Sequence, residues 1–379
     1  MTQPKSPPYT ARPMTSPPLP ISSSLGAHAS PEDRKDAHLR ICLEEAIERP
    51  GATNGFERYR FEHDAFPELH RDAVDLTTTI FGKRLSAPLM IGAMTGGTKR
   101  AGELNQILAQ AAQATGVAMA LGSQRKMLES PEIAWTFQVR DVAPDILLMG
   151  NVGAVQLNYG VTAADVRHLA KSVGADMFAF HLNALQEAIQ PEGDCNFAGL
   201  MDALAHVIPE IPIPVVLKEV GAGFSRKTIR KIKHLPFAGL ETAGVGGTSW
   251  SKIETFRTDS WVQQLTGLRL ADWGVPSAES LVAATQELRG TNAPAGTPKT
   301  IIASGGIRTG LEVAKAVALG ADLVASALPF LKAASEGGVD AVVLTIRQFI
   351  DELRTICFVT GSKNLSELRH ALVSRKETP

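Results

Sequence analysis

The chain has 379 residues, with 38 lysines and arginines against 39 aspartates and glutamates, a formal net charge of −1. That balance gives no general field for nucleic acid or an anionic membrane surface, and 44% hydrophobic with 20% charged residues excludes whole-chain disorder and a coiled-coil rod. No run approaches the roughly 18 apolar residues of a membrane span, and Cys42, Cys195 and Cys357, odd in number and far apart, suit a reducing, cytoplasmic interior rather than a disulfide framework.

Residues 1–30 carry seven prolines and the run Ser22-Ser23-Ser24 with little that can bury, so a flexible tail is expected there, without the apolar core of a secretory signal. Order is expected from Ser30-Pro31-Glu32-Asp33: an N-cap serine, proline at the first helical position, acids in the first turn. This helix should run to about Glu48 and stop at Pro50-Gly51, and residues 31–379 read as one domain. From residue 85 short apolar runs alternate with helical stretches. The predicted strands are Pro88–Ala93, Val117–Gly122, Asp145–Asn151, Met177–Asn183, Pro214–Val220, Phe237–Ala243, Thr300–Gly305 and Asp322–Ala327. Helices are expected between them, for example over Glu103–Thr115, Ala163–Ser172, Ser225–Lys233 and Leu311–Leu319. Near-continuously apolar strands separated by helices imply a buried parallel sheet. Eight such units fit a closed (β/α)8 TIM barrel, here with an N-terminal helical extension. A doubly wound sheet is less suited, because the chain lacks both G-x-G-x-x-G and the P-loop pattern. The span from Ala243 to Thr300 is long enough for an extra excursion, including a loop over 290–298.

Chemistry in a barrel gathers at the C-terminal strand ends. Those ends read Met94-Thr95-Gly96-Gly97, Ser123-Gln124-Arg125, Asn151, His181-Leu182-Asn183, Lys218-Glu219, Gly246-Gly247-Thr248, Ser304-Gly305-Gly306-Ile307-Arg308 and Ala327-Leu328. The glycine pairs before a helix offer bare N–H groups to a phosphate, or simply make tight turns. Lys218 interrupts an apolar strand, where a lysine is costly without an anion. It is a Schiff-base lysine, an ion-pair partner of Glu219 or Glu241, or a countercharge to an anionic cofactor. His181 follows Phe178-Ala179-Phe180 and is a core histidine or a functional one. The polar run from His181 to Asp194 suits a hydrated divalent cation and proton handling, or is a solvated loop. Arg34, Lys35 and His38 place cations in the first turns of a helix, against its dipole, which an anion bound beside them would relieve.

Taken together, Arg34-Lys35-x-x-His38, Ala93-Met94-Thr95-Gly96-Gly97-Thr98, Gly122-Ser123-Gln124-Arg125, Gly150-Asn151-Val152-Gly153 and His181-Leu182-Asn183-x-x-Gln186-Glu187 form a set. With Lys218-Glu219-Val220-Gly221, Gly246-Gly247-Thr248-Ser249-Trp250, Glu254 and Ser304-Gly305-Gly306-Ile307-Arg308, the set resembles the type 2 isopentenyl-diphosphate isomerases over about residues 32–370. The resemblance implies interconversion of isopentenyl and dimethylallyl diphosphate with reduced FMN and Mg2+, NADPH as reductant, and a tetramer or octamer. It assigns Ala93, Met94, Thr95, Ser123, Asn151, Lys218, Thr248, Gly306, Ile307, Arg308, Ala327 and Leu328 to FMN. Arg34, Lys35, His38, Arg125 and Asn183 fall to the substrate diphosphate, Gln186 to its alkene and Glu187 to Mg2+. Gln186, Glu254 and His181 are the candidate catalytic groups: either the flavin alone is acid and base, or Gln186 and Glu254 relay protons. Ala243 departs from the pattern, in which many members carry a hydroxyl. The competing expectation is an FMN-dependent 2-hydroxy-acid oxidoreductase of the same barrel class.

Overall fold

Eight apolar runs form the parallel strands Leu89–Ile91 (β1), Ala118–Ala120 (β2), Leu148–Gly153 (β3), Met177–Leu182 (β4), Val215–Glu219 (β5), Gly239–Glu241 (β6), Thr300–Ala303 (β7) and Leu323–Ser326 (β8). In this computed structural model, which describes residues 31–48, 51–291, 293 and 298–375 (backbone alone for 31–34 and 372–375), they close a barrel in sequential order. Each lies inside its predicted segment except β3, which runs on to Gly153 because Val152 and Gly153 pair with Phe180 and His181 of the long β4. Helices cover the outside, as a buried parallel sheet requires.

The barrel interior is packed by Met90, Ala118, Met149, Met177, Val216, Ile302 and Leu323. Joined to this cluster are Ile80 and Leu85 from an antiparallel hairpin, Thr78–Ile80 with Lys83–Leu85, that the sequence reading did not include. Its two-residue turn, Phe81-Gly82, has positive φ at both positions (46° and 81°), the geometry that lets a tight hairpin follow strand twist. Lys83 Nζ pairs with Asp176, just before β4. The hairpin therefore stoppers the N-terminal end of the barrel, opposite the strand ends that carry the polar set.

The N-terminal helix spans Pro31–Glu44 and is shorter than predicted. The chain leaves it to pair with the loop after β6: Ser249 N–H donates to Ile47 O at 3.1 Å, and Glu48 bridges Thr248. The expected cap Ser30 and the tail 1–29 lie outside the described residues. The helix Lys99–Thr115 starts four residues before its predicted start, where the Thr98 hydroxyl accepts from Ala101 N–H at 3.2 Å. Between β6 and β7 the excursion supplies helices Trp250–Thr255, Trp261–Arg269 and Ser277–Arg289, while most of the loop over 290–298 lies outside the described residues. The segment Leu328–Val359, bent at Gly337-Gly338, lies along the helix Lys99–Thr115. No helix among the described residues is long and apolar enough to cross a membrane.

Candidate active site

The strand ends open into one cavity of two compartments. The wider, about 760 Å³, is lined by Lys35, His38, Arg125, His181, Asn183, Gln186, Glu187 and Arg257 among others. The narrower, about 120 Å³, is lined by Thr95, Glu241, Ala243, Thr248, Ser304–Arg308 and Ala325–Leu328. Ala93, Met94, Lys35, His38, Lys218 and Trp250 face both. Every residue that the resemblance assigns to FMN lines one compartment or the other, with Lys218 at their junction.

The narrow compartment is walled by backbone. Gly305 and Gly306 hold φ of 102° and 72°, a region that L side chains avoid. A Cβ on Gly305 would overlap Gly244 O, and one on Gly306 would overlap Gly246 O, so the loops after β6 and β7 interlock as only glycines allow. Ala243 also has a positive φ, 37°, and its N–H donates to Ser304 Oγ at 3.1 Å, which brings a hydroxyl to the corner where Ala243 itself has none. Thr95 Oγ1 and Glu241 Oε2 are buried without a hydrogen-bond partner. A narrow slot with unspent polar atoms and interlocked glycine turns fits a phosphorylated, hydrogen-bonding planar ligand such as FMN.

The wide compartment is walled by side chains. Asn151 Oδ1 lies 2.9 Å from His181 Nδ1, and His181 is paired in register with Lys218 on β5. Burial first, then the charges of Lys218 and Lys35, draw the His181 pKa down to about 3, so the imidazole is neutral at physiological pH. Asn183 and the helix Ala184–Ile189 follow β4. Glu187 Oε1 accepts from Asn183 Nδ2 at 2.7 Å and Oε2 from Asp194 N–H at 2.8 Å, while Asn183 Oδ1 is buried and unpartnered. Burial raises the Glu187 pKa against those bonds; a cation beside it would reverse the effect. Among the described residues no three His, Cys, Asp or Glu side chains come together as a metal cage. A single carboxylate with a neighbouring amide oxygen nonetheless fits Mg2+, which keeps its waters and binds through substrate phosphates.

Glu254 does not line the cavity. It sits fully buried behind the wall, on the helix Trp250–Thr255, where its Oε1 accepts from Gln186 Nε2 at 2.9 Å and lies 3.1 Å from His38 Nε2. Arg257 forms an ion pair with the same carboxylate and a second with Glu192 at 2.9 Å. Burial opposes the Glu254 charge most strongly, yet the hydrogen bond and charge of His38, then Arg257 and Gln186, outweigh it and bring the pKa to about 2. Burial lowers the pKa of His38, so Arg257 is the permanent cation of this group. Glu254 is thus a fixed anion that orients Gln186 and His38. Arg125 reaches Asp194 at 2.7 Å and Glu129 at 3.1 Å, so it stands beside the Glu187 loop. Arg34 belongs to the helix bearing Lys35 and His38, but its side chain lies outside the described residues. Arg257 was missed by the sequence reading, with its three-residue spacing from Glu254 as the available signal, whereas Asp194 closes the polar run after β4 that the sequence marked out.

A family model described as FMN-dependent dehydrogenase matches residues 39–134 and 247–375. The chain is 45% identical over 344 residues to an isopentenyl-diphosphate delta-isomerase of Nostoc sp., covering 90% of this chain and 95% of that one. To the protein of the same name from Synechococcus sp. it is 47% identical, covering 93% and 98%, and to that of Pyrococcus furiosus 41%, covering 89% and 84%. Among solved structures, a flavocytochrome b2 mutant matches with a TM-score of 0.65 at 18% identity (89% and 82% covered). A mandelate oxidase mutant with an FMN monooxide adduct gives 0.58 at 19% (89% and 91%). At that identity the two structures speak for the fold alone.

Proposed function

The chain belongs to the isopentenyl-diphosphate delta-isomerase family, and from that membership we infer how its residues carry out the reaction. It is an FMN-dependent isomerase that interconverts isopentenyl and dimethylallyl diphosphate. The reaction moves a proton across an allylic unit, adding one at the terminal carbon and removing another near the diphosphate. An alkene is a very weak base, so the site must hold a well-placed acid and keep water out. Bound reduced flavin supplies the proton chemistry without net electron transfer.

The residues of this chain do the rest. Lys218, which lines both compartments, would lend positive charge to a flavin ring held between them. Lys35, Arg125 and Arg34 supply cations for the diphosphate, and Glu187 with Asn183 holds Mg2+ against it. Gln186, anchored to Glu254 at 2.9 Å, presents its amide to the alkene. Glu254 is a positioning residue here: a carboxylate ionised down to about pH 2 is a poor acid at neutral pH. His181 stays neutral and bonds Asn151. NADPH as the reductant and a tetramer or octamer as the assembly rest on the family resemblance, and the cytoplasm as the compartment on the three scattered cysteines. The carrying observation is that one cavity joins a glycine-walled slot to a cationic chamber through Lys218.

The reading of a 2-hydroxy-acid oxidoreductase is weaker, since its likeness stays at 17–19% identity. The purified protein should be yellow. Reduced anaerobically and given isopentenyl diphosphate with Mg2+, it should form isomer without stoichiometric NADPH use; one NADPH consumed per turnover would overturn the isomerase reading. Omission of Mg2+ should abolish turnover, and light scattering reads the assembly.

A further inference from the structure

Two buried carboxylates flank Lys218, and they are engaged differently. Glu219 Oε2 accepts from the backbone N–H groups of Val220, Gly221, Ala222 and Gly223 at 2.7, 2.7, 2.5 and 3.1 Å. Its charge is taken up in folding the loop after β5. Glu241, at the end of β6 and paired in register with Lys218, has its Oε1 3.1 Å from Lys218 Nζ and 2.8 Å from Ser304 Oγ, both donating to it. Its Oε2 is buried and has no partner, in a residue only 2% exposed that lines the narrow compartment.

A buried acceptor left unmatched is destabilising, and a buried ion pair is often no more stabilising than apolar side chains of the same size. Stability alone therefore does not account for Glu241. Its place does: it is paired with Lys218, which lines both compartments, and it lines the narrow one itself. We propose that Glu241 is the positioning residue for Lys218 and that its charge sets the reduction potential of the flavin held in the narrow compartment. Lys218 alone would favour the anionic reduced ring by direct attraction. A carboxylate 3.1 Å from that ammonium offsets part of the pull and fixes where the ammonium sits. Reduction is then easy enough to load the coenzyme, while the reduced ring is not held so deeply that it becomes a poor proton donor.

This rests on the flavin site proposed above, and a measurable midpoint potential of FMN bound to the unaltered protein tests that premise first. The experiment is spectroelectrochemical titration of bound FMN in the Glu241→Gln and Glu241→Asp variants, alongside FMN dissociation constants. Glu241→Gln should raise the preference for reduced over oxidised flavin about tenfold, a positive shift of about 30 mV for a two-electron couple. Glu241→Asp keeps the charge at a shorter reach, so it should hold the potential near that of the unaltered protein while weakening FMN binding. A potential in the Gln variant that stays put or falls overturns the proposal. So does an Asp variant whose potential shifts as far as the Gln variant's. If neither variant can be obtained folded with flavin while the unaltered protein binds it, the pair belongs to folding and the proposal fails.

Discussion

The two compartments of the cavity are made of different materials. The narrow one is shaped by main chain: the loops after β6 and β7 interlock at Gly305 and Gly306, where a Cβ has no room. The wide one is shaped by side chains whose partners come from distant loops, such as Arg125 with Asp194 and Arg257 with Glu192. A main-chain wall is fixed once folded, so it suits a coenzyme held through many turnovers. A side-chain wall can exchange an internal ion pair for a ligand, so it suits a substrate that enters and leaves each cycle.

The contrast is most exposed to a change in the glycine wall. Gly305→Ala should cost on the order of 3 kcal/mol or more, from strain at a φ of 102° together with overlap at Gly244 O. It should abolish FMN retention, read from flavin content and Tm; a variant that keeps both would refute the rigid-wall account. On the side-chain wall, Glu254→Ala should cost about 3 kcal/mol, because it strands Arg257 half of whose pairing is lost in a buried setting. There kcat should fall with little change in flavin content, which separates the two walls.

Smaller effects sharpen the same division. Glu187→Gln should raise the Mg2+ concentration needed for half-maximal turnover roughly tenfold, a value set by one lost charge–cation contact, and leave Tm nearly unchanged; an unaltered Mg2+ titration would remove Glu187 from the metal. A pH dependence tests the same wall in another way. His181 takes its proton at its ordinary value of 6.5 when unfolded but only near 3 in the fold, so between those values the unfolded chain binds more protons. Its contribution, complete above pH 6.5, is lost progressively as pH falls toward 3. His181→Gln should flatten the acid side of a Tm-against-pH curve, and an unchanged slope would show that the ring is not buried neutral.

The fold was legible because buried parallel strands write themselves as unbroken apolar runs: Val215-Val216-Leu217 and Met177-Phe178-Ala179-Phe180 need no partner to be recognised. The glycine wall was legible for a related reason, since the need for φ beyond the L-residue range leaves Gly305-Gly306 in plain view. The side-chain wall was legible only in part. Lys218 stood out by interrupting an apolar strand, and Gln186 and Glu187 through the polar run after β4 and the family resemblance, but what each touches is set across the barrel. His38 meets Glu254 from 216 positions away, and no local pattern encodes that distance. The hairpin at Phe81-Gly82 was missed because its short strands, Thr78–Ile80 and Lys83–Leu85, are mostly polar and lie in no apolar run like those around the equally short β1 and β2.

That hairpin has a further consequence. With Ile80 and Leu85 seated among Met90, Met177 and Leu323, the floor of the vessel is solid. Both compartments therefore open away from that floor, and Lys35 and His38 line each of them, so a visitor that recharges the coenzyme and one that is rearranged by it meet the same two side chains.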